Sequence, residues 1–443
     1  MPLPKSSFRP PIRPARQLTA ELRERADEFT AGPRDPDADA QPESRRGRRL
    51  LWWDGLVSNI SESFVLNFTN PFALALGATN VQIGWLSALM NLASALALFP
   101  GARLVERTGQ RKRIVVLTSG GAARLLLLAI ALVPVFFHGT AAIYAFIALV
   151  ALRAFFSQLG YPAWSAMLAD LVPAGIRGRY FASRNIGLAI AALIAAPLAG
   201  WLADQLGLPR GYEVSFFLAG LIGFGATAIF ARIPDRAPPH VSQVTTEKPE
   251  GIRSILRSHP RFAGFTAVAF LWNLSLMVAG PFFSVYLVRD LGASPTQIGM
   301  LAAIFSATNI VGQRVWGQLN DRRGAAWVMR LTGFLIPGVP LLWSIAPNPW
   351  YLLIAEAFSG FVWAGYSLAS FNLLLGLTPA AQRPRYTAIY QVSVFSAAFI
   401  GPLLGSALAT ALGIRPLFWI SAIGRLIASG LFMLTVRGDR ETG

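Results

Sequence analysis

Cysteine is absent from the 443 residues, and histidine occurs only at His138, His240 and His259. The absence of cysteine excludes disulfide bonds, thiolate metal sites and cysteine nucleophiles. All three histidines fall in predicted loops, so a histidine-based metal site is not expected. The phosphate-binding pattern G-x-x-x-x-G-K-[ST] is also absent, which argues against ATP as an energy source. We therefore expect no metal, no cofactor and no enzymatic activity.

Charged residues are also scarce. Charged residues make up 14% of the chain, against 54% hydrophobic residues, and the mean hydropathy is +0.49. Soluble globular proteins have about a quarter of their residues charged, whereas apolar runs of about twenty residues can cross a hydrocarbon layer about 30 Å thick. The composition therefore predicts an all-α polytopic membrane protein.

Long apolar runs alternate along the chain with short polar or Pro/Gly breaks, and they predict twelve transmembrane helices. We number them spans 1 to 12 and place them at residues 52–76, 81–101, 114–137, 140–169, 185–206, 212–232, 262–288, 296–316, 326–346, 350–377, 386–412 and 415–436.

The longest connection between spans, 233–261, is rich in proline and charge and divides the spans six and six. We expect it to be a cytoplasmic linker between an N-terminal half, 51–232, and a C-terminal half, 262–436. Residues 1–50 combine many prolines and charges with few apolar residues, which predicts a disordered cytoplasmic tail. Residues 437–443 would form a second short cytoplasmic tail.

Basic residues are distributed unevenly over the loops. The chain has 39 Lys and Arg against 22 Asp and Glu, a formal charge of +17. Alternate loops, on the side of the tails, carry most of the arginines, while the other side keeps Arg210, Arg289 and Arg415. This is the positive-inside pattern, which predicts a plasma (inner) membrane protein with both termini in the cytoplasm. Topology explains the charge, so no nucleic-acid partner is expected.

The second half of the chain repeats the first. At an offset of 215 residues, Gly77-Ala78 and Gln82-Ile83-Gly84 recur as Gly292-Ala293 and Gln297-Ile298-Gly299. A second match, at an offset of 206, pairs Pro173, Arg177, Arg179 and Tyr180 with Pro379, Arg383, Arg385 and Tyr386. Matches of this kind predict two parallel repeats of six spans.

A glycine-rich charged motif follows span 2 and span 8. The second copy reads Gly317-Gln-Leu-Asn-Asp321-Arg322-Arg323-Gly324, and the first is the variant Ala102-Arg-Leu-Val-Glu106-Arg107-Thr108-Gly109. The motif resembles the signature G-x-x-x-D-R-x-G of the major facilitator superfamily. The resemblance implies twelve transmembrane helices in two six-helix parallel repeats. It also implies a monomeric secondary transporter that works by alternating access.

The resemblance further implies that this motif is a cytoplasmic gate. Glu106 would engage the start of span 11 near Arg385, and Asp321 the start of span 5 near Arg179 and Arg184. An acid can face the positive N-terminal end of a neighbouring helix in this way. The alternative is that the arginines of these loops only fix the topology by attracting anionic lipid, at about 1 kcal/mol each.

Charged residues within spans are few, and each needs a partner or a hydrated cavity. Glu62 in span 1 and Arg153 in span 4 lie at nearly the same depth. The resemblance places both spans on a central cavity, where such a pair couples protons in several members. We expect this role for Glu62 and Arg153, with a permanent salt bridge as the alternative. Arg124 and Arg425, on spans 3 and 12, are expected to pack or snorkel outside the cavity.

Other polar and aromatic residues on the cavity spans are candidate substrate contacts, namely Gln158, Trp164, Trp272, Asn273, Tyr366 and Asn372. Glu356, near the outer end of span 10, is either a gate residue or a solvated one. Amide and ring groups favour an uncharged or amphipathic solute, although packing and interhelical hydrogen bonds explain each residue equally well.

The sequence thus predicts a proton-coupled exporter of a small amphipathic compound, whose partners are that substrate, protons and the lipid bilayer. The first alternative is a proton-coupled importer of a sugar-like or other polar nutrient. A second is a non-transporting membrane sensor or scaffold, which would have no need for charges inside the membrane.

Overall fold

The computed structural model describes residues 15–34, 42–235, 257–376 and 383–435. Most of the predicted linker and the whole of the second tail lie outside these ranges. Regular structure within them is helical, without a strand. Eleven of these helices are long and apolar enough to cross a membrane, and they correspond to spans 2 to 12: Asn80–Thr108, Arg111–Ala131, Gly139–Leu171, Gly175–Leu206, Arg210–Phe230, Pro260–Asp290, Pro295–Arg323, Ala325–Ser344, Pro349–Ser370, Tyr386–Leu412 and Ile414–Leu434.

Span 1 differs from the others because it is a broken helix. It consists of Pro42–Ser63 and Thr69–Ala75, joined by turns. The amides of Val65 and Leu66 donate to the carbonyl oxygen of Glu62 at 3.0 and 2.8 Å, where the first helix ends. Irregular backbone at membrane depth is tolerated where it lines a cavity. With span 1 counted, the predicted fold of twelve helices is confirmed.

Span 3 also deviates from a regular helix. A π-helical turn, Thr118–Ala122, separates Arg111–Leu117 from Ala123–Ala131. The wider turn accommodates one extra residue, which rotates the following side chains by about 100° around the helix axis. Arg124 is the second residue after this turn, so its direction around the helix axis includes this rotation.

The repeat predicted from the sequence has a structural basis at the starts of spans 2 and 8. Thr79 and Gln82 form a capping box, in which each side chain bonds the other residue's backbone N–H. Ser294 and Gln297 form the same arrangement 215 residues later. A capping box satisfies two of the unpaired donors at a helix start. The matching residues therefore mark matching helix boundaries.

Two buried tyrosines, which match at the repeat offset of 206 residues, have equivalent contacts. Tyr180 at the start of span 5 donates to the carbonyl oxygen of Arg48 at 2.8 Å. Tyr386 at the start of span 11 bonds Nδ1 of His259 at 2.7 Å. Each tyrosine therefore ties its span to the residues at the start of the first span of the same half.

A short helix precedes span 1, within the segment that the sequence predicts to be disordered. It covers Ala15–Ala31, and its Asp27 bonds Arg45 at 2.6 Å and also bonds Arg49. The tail helix is thus anchored because its acidic side meets two arginines of the following helix. Residues 1–14 and 35–41 lie outside the described ranges.

Candidate functional site

A cavity of about 670 Å³ lies between the two halves, and we call it the central cavity. Its walls differ in character. The N-terminal half contributes all the lining amides, Asn59, Asn67, Asn70 and Asn91, while the C-terminal half contributes all the lining aromatic rings, Phe283, Phe305 and Trp343. The ionisable lining residues are Glu62, Arg153 and Glu356. The space therefore has amides on one side and aromatic rings on the other.

Glu62 lies at the end of the first helix of span 1, where it binds two arginines. Nη2 of Arg153 contacts its two carboxylate oxygens at 2.6 and 2.7 Å. Nη1 of Arg124 bonds Oε1 at 2.9 Å and Ser61 Oγ at 3.1 Å. The Glu62 side chain is 36% exposed, whereas the two arginine side chains are largely buried. The structure thus brings Glu62 and Arg153 together, while their role in proton coupling stays a prediction.

Arg124 lies outside the central cavity, as predicted, but the prediction that it only packs or snorkels is wrong, because it binds Glu62. Two features direct its side chain inward. The π-helical turn before it rotates the residue toward span 1. Gly223 on span 6 leaves the space that the side chain needs, since a Cβ there would lie 2.5 Å from Cδ of Arg124. Arg425, by contrast, is 2% exposed, so it packs and does not snorkel.

A second cavity, of about 280 Å³, lies inside the N-terminal half, and we call it the N-half cavity. Asp54, Arg124, Arg184 and Trp164 are among its lining residues. Glu62 lines this cavity as well as the central one. A single carboxylate therefore borders both compartments.

Arg184 differs from its predicted position as a gate partner of Asp321. Its guanidinium lies over the ring of Trp164, with 5.6 Å to the ring centroid. It also fills the space beside Gly55, where a Cβ would lie 2.6 Å from Nη2 of Arg184. Arg184 therefore belongs to the N-half cavity in this conformation. Arg179, the other predicted partner on span 5, is exposed.

The gate motif lies at the end of the bundle where the chain enters span 1 and leaves span 12, which we call the terminal face. Both copies end their helices at a glycine with positive φ, +62° at Gly109 and +81° at Gly324. The charged positions of the motif are exposed, namely Glu106, Arg107, Asp321 and Arg322. Neither acid forms a salt bridge with a described residue. The side chain of Arg385, the predicted partner of Glu106, lies outside the described part of the structure.

Span 2 approaches span 4 closely beside the first copy of the motif. A Cβ on Gly101 would lie 2.4 Å from the carbonyl oxygen of Leu159. Within the described part of the structure, no atom lies within 4 Å of the corresponding point on Gly317. The second copy is therefore not a close helix contact in this conformation.

The two halves are joined at the opposite end of the bundle, which we call the distal face. Asp204 at the end of span 5 accepts hydrogen bonds from the amide of Thr296, at 2.9 Å, and from its hydroxyl. Asn70 bonds Ser284 at 3.1 Å. A Cβ on Gly200 would lie 2.2 Å from the carbonyl oxygen of Pro295. Among described residues, the hydrogen bonds between halves all lie on this side, so the conformation is distal-closed.

The other predicted substrate contacts are dispersed. Glu356 lines the central cavity, and Trp164 lines the N-half cavity. Trp272 and Tyr366 stack on each other, with ring centroids 4.8 Å apart, beside a gap of only about 10 Å³.

The two remaining described amides do not line either cavity. Asn273 bonds the carbonyl oxygen of Ala269 in its own helix at 2.8 Å, and Gln158 is not a lining residue of either cavity. The side chain of Asn372 lies outside the described part of the structure. The sequence did not predict Asn67, Asn70 and Asn91 as cavity-lining residues. Their amides stand in otherwise apolar spans, and that pattern could have indicated them.

Comparison with known proteins gives the family. The model of the Major Facilitator Superfamily matches residues 55–286 and 266–443. A protein named multi-drug resistance efflux pump PmrA, from Streptococcus pneumoniae serotype 4, is 24% identical over 384 residues, covering 85% of this chain and 92% of that protein. A protein named multidrug resistance protein MdtG, from Serratia proteamaculans, is 30% identical over 178 residues, covering 38% of this chain and 42% of that protein.

Solved structures share the fold. The nucleoside transporter NupG superposes with a TM-score of 0.69 at 12% identity, covering 88% of this chain and 100% of that one. A bacterial homolog of the human lysosomal transporter Spinster, in an inward-facing and occupied conformation, has a TM-score of 0.68 at 15% identity, covering 90% and 97%. The motif, the repeat, the helices and the family match agree, and the chain is a membrane transporter that belongs to the Major Facilitator Superfamily.

Proposed function

We propose that this transporter exports small amphipathic compounds and is driven by protons that move inward through Glu62. The observation that carries the proposal is the Glu62 carboxylate on the wall of the central cavity, bonded to Arg153 and Arg124. The two arginine side chains are largely buried, so loss of one of them leaves the Glu62 charge less well compensated at membrane depth. A rearrangement that withdraws an arginine therefore favours proton uptake by Glu62, and return of the arginine favours release.

Proton uptake and transport are linked if the arginines move when the halves rock. Arg153 and Glu62 lie on different spans of the same half, so small shifts between spans 1 and 4 are sufficient to separate them. Span 1 is broken directly after Glu62, and broken helices supply the sites of many secondary transporters. We propose that the break gives Glu62 the freedom to exchange partners.

The two-sided central cavity supports an amphipathic substrate. The amides of Asn67 and Asn91 offer donors and acceptors on one wall, and the rings of Phe283 and Phe305 offer apolar surface on the other. Glu356 adds a carboxylate to the aromatic side. A compound with a polar end and an aromatic or aliphatic body would satisfy both walls.

The proposed direction of transport rests on the topology and on the name of one relative. We place the terminal face in the cytoplasm because the arginine-rich loops lie there. The distal-closed conformation would then collect substrate from the cytoplasm or inner leaflet. In the opposite conformation, Glu106 and Asp321 would close the terminal face as the predicted gate. Export is the direction that the name of the relative PmrA, an efflux pump, supports.

Import of a polar solute is the second candidate, and the amide-rich wall of the central cavity favours it. The N-terminal half could satisfy the hydroxyl groups of such a solute without using the aromatic wall. The two candidates differ in the direction in which an imposed proton gradient moves solute.

A transport assay in proteoliposomes tests the proposal. Purified protein would be given a panel of amphipathic dyes and antibiotics and a matched panel of sugars, with and without an imposed pH gradient. We expect an amphipathic compound to move against the direction of proton flow. Movement of a sugar together with protons would support the importer, and no gradient-driven movement of any compound would reject proton coupling.

A further inference from the structure

Glu62 has one arginine in each of the two cavities. Arg153 lines the central cavity, and Arg124 lines the N-half cavity. Asn59 also borders both spaces, and its side-chain amide donates to the carbonyl oxygen of Leu188 at 2.6 Å. The residues that line the N-half cavity all come from the N-terminal half. Glu62 therefore borders a space that lies apart from the space between the halves.

A polar stripe runs along span 1 from Glu62 toward the terminal face. Ser58 and Asp54 precede Glu62 by four and eight residues, so the three side chains share one face of the helix. All three line the N-half cavity. At 1.5 Å per residue, Asp54 lies about 12 Å from Glu62 along the helix axis. The cavity thus has a carboxylate near each end.

The surroundings of Asp54 differ from those of Glu62. Arg184 on span 5 and Arg124 on span 3 face Asp54, and Tyr180 on span 5 lies close enough to interact with it electrostatically. Asp54 nevertheless forms no salt bridge with a described residue, and it is only 7% exposed. The N-half cavity beside it, about 280 Å³, can hold several water molecules at about 30 Å³ each.

We infer that protons travel between Glu62 and the terminal face through the N-half cavity, with Asp54 as a relay, and that the transported compound uses the central cavity alone. The inference rests on the proposed proton coupling. On release, neutral Glu62 gives its proton to water, and its carboxylate re-forms the pair with Arg124. The Asp54 carboxylate accepts the proton and then passes it to solvent at the terminal face. Substrate can occupy the central cavity during these steps.

Cysteine labelling tests the separate route without a known substrate. Ser58→Cys would be exposed to a small water-soluble methanethiosulfonate from the terminal face, since the chain has no other cysteine. Each cavity would then be filled in turn, the central cavity by Ser306→Trp and the N-half cavity by Ser157→Trp. We expect the labelling rate to stay within twofold in the first case and to fall at least tenfold in the second. The reverse result would overturn the separate route.

Neutralising the relay tests the role of Asp54. Asp54→Asn should reduce accumulation driven by a pH gradient at least tenfold and leave exchange without a gradient largely intact, and Asp54→Glu should restore part of the coupling. Glu213→Gln is the matched control, an acid of the same half that lines neither cavity. Full coupling in Asp54→Asn together with lost coupling in Glu62→Gln would reject the relay alone. Full coupling in Glu62→Gln would reject the proposed function itself.

Discussion

Arg124 donates a 2.9 Å hydrogen bond to the Glu62 carboxylate from the side of the N-half cavity. Arg153 binds the same carboxylate from the side of the central cavity. With two arginines for one acid, Glu62 can release one partner and keep the other. Withdrawal of one arginine therefore weakens the stabilisation of the Glu62 carboxylate and favours proton uptake, while the arginine that stays limits the cost of the change.

Replacing Arg124 by Gln should weaken the site without unfolding the protein. Glu62 keeps Arg153, and the bond from Arg124 to this partly exposed carboxylate contributes about 1.5 kcal/mol, with a smaller contribution from the bond to Ser61. Arg153→Gln should cost more, because Arg153 contacts both carboxylate oxygens. Thermal unfolding in detergent measures the difference, and an Arg124→Gln protein that is less stable than Arg153→Gln would contradict it.

Asp204 should stabilise the distal-closed conformation. Its carboxylate accepts from the backbone N–H of Thr296 in the first turn of span 8, where the helix dipole favours a negative charge. Asp204→Asn should remove about 1 to 2 kcal/mol and shift the population toward the distal-open state by roughly 5- to 30-fold. Distances between spin labels at the distal ends of spans 5 and 8 report this shift. Unchanged distance distributions would show that Asp204 is not a closing contact.

Gly200 should be required for closure at the same face. A methyl group there would lie 2.2 Å from the carbonyl oxygen of Pro295, so Gly200→Ala should force spans 5 and 8 apart and impair transport. Gly225→Ala is the matched control, since no atom lies within 4 Å of its Cβ position. Transport rates of the two variants at equal protein levels give the test. Equal rates would show that the tight contact is dispensable.

The gate acids should act in the opposite direction to Asp204. Glu106 and Asp321 are exposed and form no salt bridge with a described residue in the distal-closed conformation, so replacing either by Ala should leave this conformation intact. It should destabilise the proposed terminal-closed state and thus raise the labelling of cysteines in the central cavity from the terminal face. Unchanged or slower labelling in both variants would contradict the gate.

The sequence predicted the fold because repeated positions carry local structure. The match of Gln82 with Gln297 predicted that the two halves are repeats of one structure. Both residues complete capping boxes. Such contacts depend on neighbours three residues away, which sequence spacing reveals. The pairing of Glu62 with Arg153 was predicted from two sources, their equal depth and opposite charge, and the family resemblance that places spans 1 and 4 on one cavity.

The rest of the site depends on features that spacing does not reveal. Arg124 turns toward Glu62 because of the π-helical turn at 118–122 and the space beside Gly223. Arg184 turns away from the gate toward Trp164. In both cases, the direction of a long side chain depends on helix rotation and on neighbours distant in sequence. Regular helical periodicity predicts neither.

The most direct measurement of the central claim is gradient-driven transport by Glu62→Gln in proteoliposomes. Glutamine keeps the size and hydrogen bonding of the side chain but cannot carry a proton as the carboxylate does. With a compound that the unmodified protein accumulates, we expect Glu62→Gln to lose accumulation driven by a pH gradient and to retain substrate binding and downhill exchange. A Glu62→Gln protein that still concentrates the compound when only a pH gradient is supplied would contradict the account.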